Sequence, residues 1–386
     1  MTKYAAFRSA ALFAAMSVLF AAGCKSGPDT TSETAPTEQK KGEPQIADVD
    51  SELYWYQRGT DATKAVWSKY RLRGDGALLR NASGDRALDF WFSAQAFDLL
   101  LDSVGIFWRK DLAADAVAAY FRDFTAEHPK REANVYNDDI LWWAIACTRA
   151  ARITNDKSYF LEAQRLYDHL WSTQVDNALD GGMWWRSDEH NTKNACVNFT
   201  AVIVAMNLYQ ATKDVKYLLQ AKKLYQWAYD RLFDQETGRV YDHVTKDGER
   251  VEWDFSYNTG TFIGASMRLY RATGARAYLS SAMKAADHLV NDLSSGGIMK
   301  PLGQGDAGAF NGIAARYLAE LARRPSCTAY REYLLANARS AWTSRRLSDG
   351  VNGPDWTIAP QTGEKIEAQT AVSAAMLYFA TSRAFR

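Results

Sequence analysis

The sequence lacks the residues that usually build a disulfide framework or a metal site. Its 386 residues include only four cysteines and five histidines. Cys147, Cys196 and Cys327 lie far apart inside apolar segments, so we expect small buried thiols rather than disulfides. The histidines are scattered without the spacing of zinc ligands. The sequence therefore predicts no metal site.

An excess of charge of either sign is also missing. Lys and Arg number 46 and Asp and Glu number 45, which leaves a net charge of +1. A protein that holds a polyphosphate backbone needs a basic surface, so we expect no nucleic-acid partner. Aromatic residues, in contrast, are abundant, with 13 Trp and 20 Tyr. Most of them would pack in a core, and the rest would suit flat platforms for uncharged ligands such as sugars.

The apolar run near the N-terminus is too short to cross a membrane. It covers residues 10–22, roughly 13 residues where about 20 are needed. Lys3 and Arg8 precede it, which is the order of an export signal. The segment LFAAGC resembles the lipobox of bacterial lipoproteins, in which Cys24 would be lipidated. We predict a lipoprotein signal peptide at residues 1–23, with membrane contact only through the lipid anchor.

Residues 24–50 are polar and rich in Ser, Thr, Pro and Lys, a composition that cannot bury enough apolar surface to fold. We predict a disordered tether there, followed by one folded domain at residues 51–386. The protein would then be exported and lipid-anchored to a bacterial membrane, at the outer membrane or the cell surface. We expect it to be a monomer.

The folded domain shows helical periodicity almost throughout. Apolar residues recur at i, i+3, i+4 and i+7, and alternating strand patterns are nearly absent. Three weakly similar segments centre on Tyr159, Tyr217 and Tyr278, roughly 60 residues apart, which is room for two helices and their links. The pattern predicts an all-α domain built from helical hairpins.

Two alternating sets of six helices are expected. Helices that are apolar most of the way round are predicted to lie inside, near 90–102, 138–154, 197–211, 257–273, 309–322 and 370–382. Helices with a charged stripe are predicted to lie outside, near 61–70, 111–128, 159–174, 215–232, 277–293 and 328–346. This alternation favours a closed (α/α)6 barrel of six inner and six outer helices. An open superhelix of hairpins would show the same local pattern.

The links between helices differ in length. Links from an inner helix to the next outer one are tight, whereas those from outer to inner run to about 15 to 25 residues. Long loops should therefore gather where the inner helices begin, and loops of that length usually carry function. The stretch VYNDDILWWAIA places Asp138 and Asp139 at the start of the second inner helix, on this same face.

Two adjacent carboxyl groups can supply both roles needed for glycoside hydrolysis. Their Cα atoms are about 3.8 Å apart, so a carboxyl separation near 5 Å, typical of retaining enzymes, is easier to reach than a wider one. Repulsion of roughly 3 kcal/mol between them outweighs the helix dipole, so the pair can hold one proton near neutral pH. On the dipeptide alone, a role as N-cap and first-turn residues is the more ordinary interpretation of Asn137, Asp138 and Asp139, and the context favours catalysis.

The segment YNDDILWWAIA resembles the signature of glycoside hydrolase family 76, the endo-α-1,6-mannanases. Further similar segments follow the family's order, namely DFWFSAQAFDLLLD, GGMWWRSDEHNTKNACVN, WDFSYNTGTFIGASMRLYRATG and FNGIAARYLAEL. The resemblance implies an (α/α)6 catalytic domain over residues 51–386 that hydrolyses α-mannan with retention and without a metal or an organic cofactor. It also implies Asp138 as the nucleophile and Asp139 as the acid/base.

Twelve further residues near the expected loop face are candidates for binding the polysaccharide. Several have an alternative structural role, such as covering the barrel end, capping a helix or shaping a glycine-rich loop. The candidates are Trp91, Gln95, Trp184, Trp185, Arg186, Lys193, Asn194, Asn198, Tyr257, Asn258, Asp306 and Phe310.

Three readings of function remain open from the sequence. A hydrolase of α-1,6-mannosidic linkages is the leading one. A transglycosylase of mannan-linked glycans would use the same two aspartates, and a glycan-binding lipoprotein would use the cleft without catalysis. Uronyl hydrolases and sugar epimerases fit less well, since the former usually need a basic cleft and the latter a pair of histidines.

Overall fold

A computed structural model describes residues 50–72, 77–81, 83–104 and 110–386. The predicted signal peptide, the lipidation site at Cys24 and the tether up to residue 49 lie outside the described residues. Twelve α-helices occur in the described part of the chain. In order they are α1 (Glu52–Tyr70), α2 (Phe90–Val104), α3 (Lys110–Glu127), α4 (Asn137–Thr154), α5 (Lys157–Gln174), α6 (Ala195–Thr212), α7 (Val215–Leu232), α8 (Ser256–Thr273), α9 (Arg276–Asn291), α10 (Phe310–Ala322), α11 (Thr328–Ser344) and α12 (Ala368–Ala384).

The even-numbered helices form a closed inner ring. Each packs against the next, and α12 packs against α2, which closes the circle. The odd-numbered helices pack around this ring. The predicted (α/α)6 barrel is confirmed, and the open superhelix is excluded because its terminal helices would not meet. The first outer helix begins at Glu52, earlier than the predicted residue 61, because Ser51 caps it by accepting a hydrogen bond from Tyr54 N–H at 3.1 Å.

Small residues let the inner helices approach one another closely. A Cβ atom added at Gly260 would lie 2.7 Å from Ala314 Cα, and one at Gly312 would lie 2.6 Å from the Ser373 carbonyl oxygen. Such contacts explain why the inner helices are rich in Ala and Gly. By length and composition α6 could cross a membrane, but as an inner helix it is mostly buried within the barrel. Its apolar character is therefore that of a core helix.

The two faces of the barrel differ, as the link lengths predict. We call the face where inner helices begin the loop face; it carries the links 71–89, 128–136, 175–194, 233–255, 292–309 and 345–367. The opposite turn face carries two-residue turns at 155–156, 213–214 and 274–275. On the turn face Asp156 and Asp214 cap the following outer helices. The link before α4 is shorter than the predicted 15 to 25 residues.

A small antiparallel sheet on the loop face was not predicted. It consists of β1 (Thr192–Asn194), β2 (Tyr241–Thr245) and β3 (Arg250–Asp254), in that order. A second pair, β4 (Ser294–Ser295) and β5 (Ile298–Met299), lies in the link before α10. Strands this short leave almost no alternating pattern in the sequence. Because β1 runs directly into α6, and only Phe255 separates β3 from α8, the sheet fixes two long loops beside the starts of these helices.

Candidate active site

The first turn of α4 holds the two adjacent aspartates on the loop face. Asp138 and Asp139 are both half-buried. Asn137 ahead of them is fully buried and fastens the turn to the loop 175–194: its backbone N–H donates to the Trp185 carbonyl at 2.8 Å, and its side chain donates to the Trp184 carbonyl at 2.8 Å. The N-cap residue is Tyr136, whose side chain makes no capping bond. None of Asn137, Asp138 and Asp139 is therefore the N-cap, although Asp138 bonds with backbone amides of the first turn.

Asp138 lies between the α4 turn and the start of α6. Burial raises the pKa of Asp138 to about 6, against weaker opposing effects of hydrogen bonding with Cys196, with backbone amides and with Trp185. The value is above that of an ordinary aspartate but leaves Asp138 largely ionised at pH 7 or higher. This state is the one that a nucleophilic carboxylate requires.

Asp139 holds a proton more strongly than its neighbour. Burial raises the pKa of Asp139 well above its usual value, and the negative charges of Asp138, Asp306 and Asp89 raise it further. A hydrogen bond of 3.1 Å from Asn134 Nδ2 to Asp139 Oδ2 acts in the opposite direction. The environments thus separate the two carboxyl groups, one tending to be ionised and the other protonated near neutral pH.

Aromatic rings continue from the aspartates across the loop face. Tyr257 stacks on Phe310 with ring centroids 3.9 Å apart, and the centroid of the Trp91 ring lies 6.3 Å from that of Phe310. Phe255 lies 5.5 Å from Phe310, and Trp253 follows 6.2 Å from Phe255. Trp253 is 59% exposed. Phe310 is buried and the other four rings are partly or largely exposed; exposed flat rings bind the apolar faces of sugars.

Two aromatic residues and one thiol of this region were missed by the sequence analysis. Trp253 and Phe255 are separated by one polar residue in the segment VEWDFSYN, just before α8. This alternation of aromatic and polar residues could have indicated a strand with an aromatic face. Cys196 was treated only as a buried thiol, yet it hydrogen-bonds with Asp138 and with Tyr257 and so joins them. Only the fold brings these three chain segments together.

Five predicted binding residues lie around the aspartates. Trp185 bonds with Asp138, and its ring lies 5.2 Å from Tyr136 in the link before α4. Asp306 is exposed and raises the pKa of Asp139. Trp91, Tyr257 and Phe310 form the aromatic group described above.

The loop 175–194 uses two other predicted residues internally. Lys193 is fully buried, and its ammonium donates to Asp176 Oδ1 at 2.8 Å and to the carbonyls of Ala178 and Gly181 at 2.8 and 2.7 Å. Trp184 is also buried: its Nε1 donates to Asp176 Oδ2 at 2.7 Å, and its ring lies 4.4 Å from the Lys193 ammonium. Their contacts hold the loop in place, which corrects the expectation that they face the sugar.

Amide side chains are also committed to internal contacts. Asn198 pairs with the backbone of Met183 through both its oxygen and its nitrogen, at 2.8 and 3.1 Å. Asn258 donates to Asp242 Oδ1 at 2.8 Å, and Gln95 accepts from Arg316 at 3.0 Å. All three are buried, so they position backbone and side chains instead of presenting amides to a ligand.

The remaining two polar candidates, Asn194 and Arg186, also have partners within the protein. Asn194 stands at the N-cap of α6 but makes no capping bond, since its oxygen accepts from the Thr192 hydroxyl at 2.7 Å. Arg186 forms ion pairs of 2.8 Å with Asp188 and Glu189 and lies over the Tyr136 ring. Within the described ranges, no three His, Cys, Asp or Glu residues are placed to hold a metal ion.

The comparison with known proteins agrees with this geometry. Residues 50–384 match the family described as Glycosyl hydrolase family 76. The chain belongs to this family. It is therefore a glycoside hydrolase by descent, and the family resemblance drawn from the sequence is confirmed. None of the curated proteins matches the chain.

Solved structures of family 76 share the fold. The GH76A α-1,6-mannanase from Salegentibacter sp. HEL1_6 is 32% identical, with a TM-score of 0.79 over 85% of this chain and 98% of that chain. An inactive variant of that enzyme, with two consecutive aspartates replaced by asparagine, is known in complex with α-1,6-mannotriose. The Lin0763 protein from Listeria innocua is 26% identical, with a TM-score of 0.79 over 85% of this chain and 96% of its own.

Proposed function

We propose that this family 76 member hydrolyses α-1,6-mannosidic linkages in α-mannan with retention of anomeric configuration. The observation that carries the proposal is the separation of the two aspartates by their surroundings, which tends to ionise Asp138 and protonate Asp139. Support also comes from the Salegentibacter α-1,6-mannanase, since the variant with two adjacent aspartates replaced is inactive.

The proposed reaction has two steps. The Asp138 carboxylate attacks the anomeric carbon while Asp139 donates its proton to the departing glycosidic oxygen, so that the C–O bond breaks and a glycosyl-Asp138 ester forms. Asp139, now ionised, then takes a proton from water as the water oxygen attacks the same carbon. The ester breaks, Asp138 is again a carboxylate, and Asp139 is again protonated.

The aromatic group gives the substrate a place to lie. Tyr257 is joined to Asp138 through Cys196, Phe310 adjoins Tyr257 and Trp91, and Phe255 and Trp253 extend the platform from Phe310. An extended row of rings fits a chain of several sugars better than a single sugar. The proposed steps use only the two carboxyl groups and water. That the enzyme works without a metal or an organic cofactor stays a prediction.

One assay tests substrate, activity and stereochemistry together. The protein is incubated with debranched α-1,6-mannan while reducing ends are measured and the first-formed anomer is followed by NMR. We expect new reducing ends and the α-anomer first. A β-anomer first would contradict retention, longer products would indicate a transglycosylase, and binding without new reducing ends would indicate a glycan-binding protein.

We also propose that the protein is exported and anchored through a lipid on Cys24. Support comes from the order of charges, apolar run and lipobox-like LFAAGC segment. The expected result is a wild-type protein that fractionates with membranes and a Cys24→Ser variant that does not. Equal membrane fractionation of the two would contradict the anchor. Size-exclusion chromatography of the soluble domain tests the expected monomer.

A further inference from the structure

The turn face of the barrel carries a cavity that the proposed hydrolysis does not use. Its volume is about 1230 Å³, and the last turns of all six inner helices line it. Nine Lys and Arg side chains contribute to the lining, but only three acidic ones, Asp98, Asp102 and Glu320. The whole chain has a net charge of +1, so this cavity concentrates positive charge.

The helix termini do not neutralise this charge. The inner helices end at the turn face, and each C-terminus carries roughly half a negative charge. The outer helices begin at the same face, however, and each N-terminus carries roughly half a positive charge. The two sets largely offset each other, which leaves the side chains to set the potential.

The floor of the cavity contains guanidinium groups in excess over carboxylates. Arg316 is only 6% exposed; one terminal nitrogen bonds Asp98 at 2.6 Å and Gln95 at 3.0 Å. Its Nε and other terminal nitrogen have no hydrogen-bond partner among the described residues. Arg149 pairs with both Asp98 and Asp102, and Arg383 pairs with Asp102. Buried donors without partners are costly in a finished core but expected where a ligand supplies the acceptors.

The rim adds further cations that the described part of the chain does not pair. Arg152 and Lys213 are exposed and form no ion pair with any described residue. Although the Arg152 side chain reaches solvent, partial desolvation by the cavity wall lowers its pKa, and the positive charges of Arg149 and Arg268 lower it further. Glu320 pairs with Arg268 and Arg271 at 2.8 and 2.7 Å, so the positive charges of Arg152 and Lys213 are not balanced by that carboxylate.

We propose that this cavity binds a phosphate-bearing polyanion. Guanidinium groups present planar pairs of donors that match phosphate oxygens, and several of them around one cavity favour a ligand with more than one negative charge. A neutral sugar would leave this charge unbalanced, so the site is distinct from the mannan site on the loop face.

The phosphate could belong to a soluble molecule or to a phospholipid headgroup. A phospholipid headgroup fits the position of α1, which begins on the turn face, where Glu52 pairs with Arg386. A lipid anchor on Cys24 would join the barrel from this side.

The first experiment measures binding of inorganic pyrophosphate to the full chain by titration calorimetry. We expect one saturable site whose affinity falls as salt is added. Arg152→Gln and Lys213→Gln should each weaken binding about tenfold. Lys223→Gln removes the same charge from an exposed position on α7 outside the cavity and should leave binding unchanged within about twofold.

The second experiment measures sedimentation of the Cys24→Ser chain with vesicles. Binding to phosphatidylglycerol vesicles but not to phosphatidylcholine vesicles, reduced by Arg152→Gln and not by Lys223→Gln, would identify the headgroup as the source. Pyrophosphate binding without vesicle binding would identify a soluble ligand. Absence of both, or equal weakening by Lys223→Gln, would overturn the proposal.

Discussion

Both ends of the barrel contain buried or half-buried aspartates, but their pKa values shift in opposite directions. On the loop face, Asp138 and Asp139 pair with no cation of the described ranges, and their pKa values are raised, that of Asp138 to about 6. Toward the turn face, Asp102 is buried as well, but Arg149 and Arg383 outweigh that burial and hold its pKa at about 2.

The difference shows that burial alone does not decide what a carboxylate does. At both ends, burial removes water from the carboxylate, and this loss of solvation favours the protonated form and raises the pKa. Paired guanidinium groups turn Asp102 into a permanently charged structural group. Their absence leaves the loop-face pair able to exchange a proton near neutral pH, which is the property that acid/base chemistry needs. The barrel thus places the two aspartates with raised pKa values and the basic cavity at opposite ends.

The largest expected effect is on catalysis. Asp138→Asn removes the proposed nucleophile while keeping the size of the side chain, so the rate of mannan hydrolysis should fall by on the order of 10⁴-fold or more. Asp214→Asn on the turn face keeps its helix cap and should retain activity within about twofold. Both rates are measured from reducing ends. Substantial turnover by Asp138→Asn would remove the nucleophile assignment.

The next largest effect is on the free energy of unfolding and concerns Asp102, near the turn face. Asp102→Asn should destabilise the fold by about 3 to 5 kcal/mol at pH 7, because it leaves Arg383 without its buried carboxylate and Arg149 with Asp98 alone. Since the pKa of Asp102 is lowered, its contribution is present above the unfolded pKa of about 3.9 and is lost as the pH falls through about 2. The measurement is urea unfolding, with the exposed Asp247→Asn as the control. Equal stability of the two variants would contradict this account.

The same measurement on the loop face should give the opposite sign. Asp138→Asn should stabilise the fold at pH 8 by about 1 to 3 kcal/mol, because it removes a poorly solvated charge. The raised pKa means that the contribution of Asp138 is fully present below the unfolded pKa, near 4, and is lost as the pH rises through about 6. The gain of the variant should therefore shrink between pH 8 and pH 4. A gain that does not depend on pH would point to packing instead of charge.

The smallest effect concerns the pH profile. In the wild type, kcat/KM should rise near pH 6 as Asp138 ionises and fall at higher pH as Asp139 loses its proton. Asp306→Asn removes one of the negative charges that raise the pKa of Asp139, so the falling limb should move to lower pH. The rate at pH 7 should stay within about tenfold of wild type. If the falling limb did not move, the charge of Asp306 would not influence the pKa of the acid/base group.

Some site residues could be predicted because their signals are local. Asp138 and Asp139 are neighbours at the start of a strongly periodic helix, and short turns against long links place that start on the loop face. Lys193 and Asn198 were assigned to the sugar because their polar character is visible in sequence. Their partners, in residues 176–183, depend on how the loop folds back onto α6.

The sequence alone determined the alternation of apolar helices with helices that carry a charged stripe, and with it the barrel of six inner and six outer helices. It also determined the adjacency of the two aspartates and the family to which the chain belongs. These features rest on spacings of a few residues or on repeats. The proton preferences, the sheet on the loop face and the basic cavity required the folded barrel. Each depends on groups that are far apart in the sequence, as Gln95 and Arg316 are at 221 residues, and only folding brings such groups within range of hydrogen bonds and electrostatic interactions.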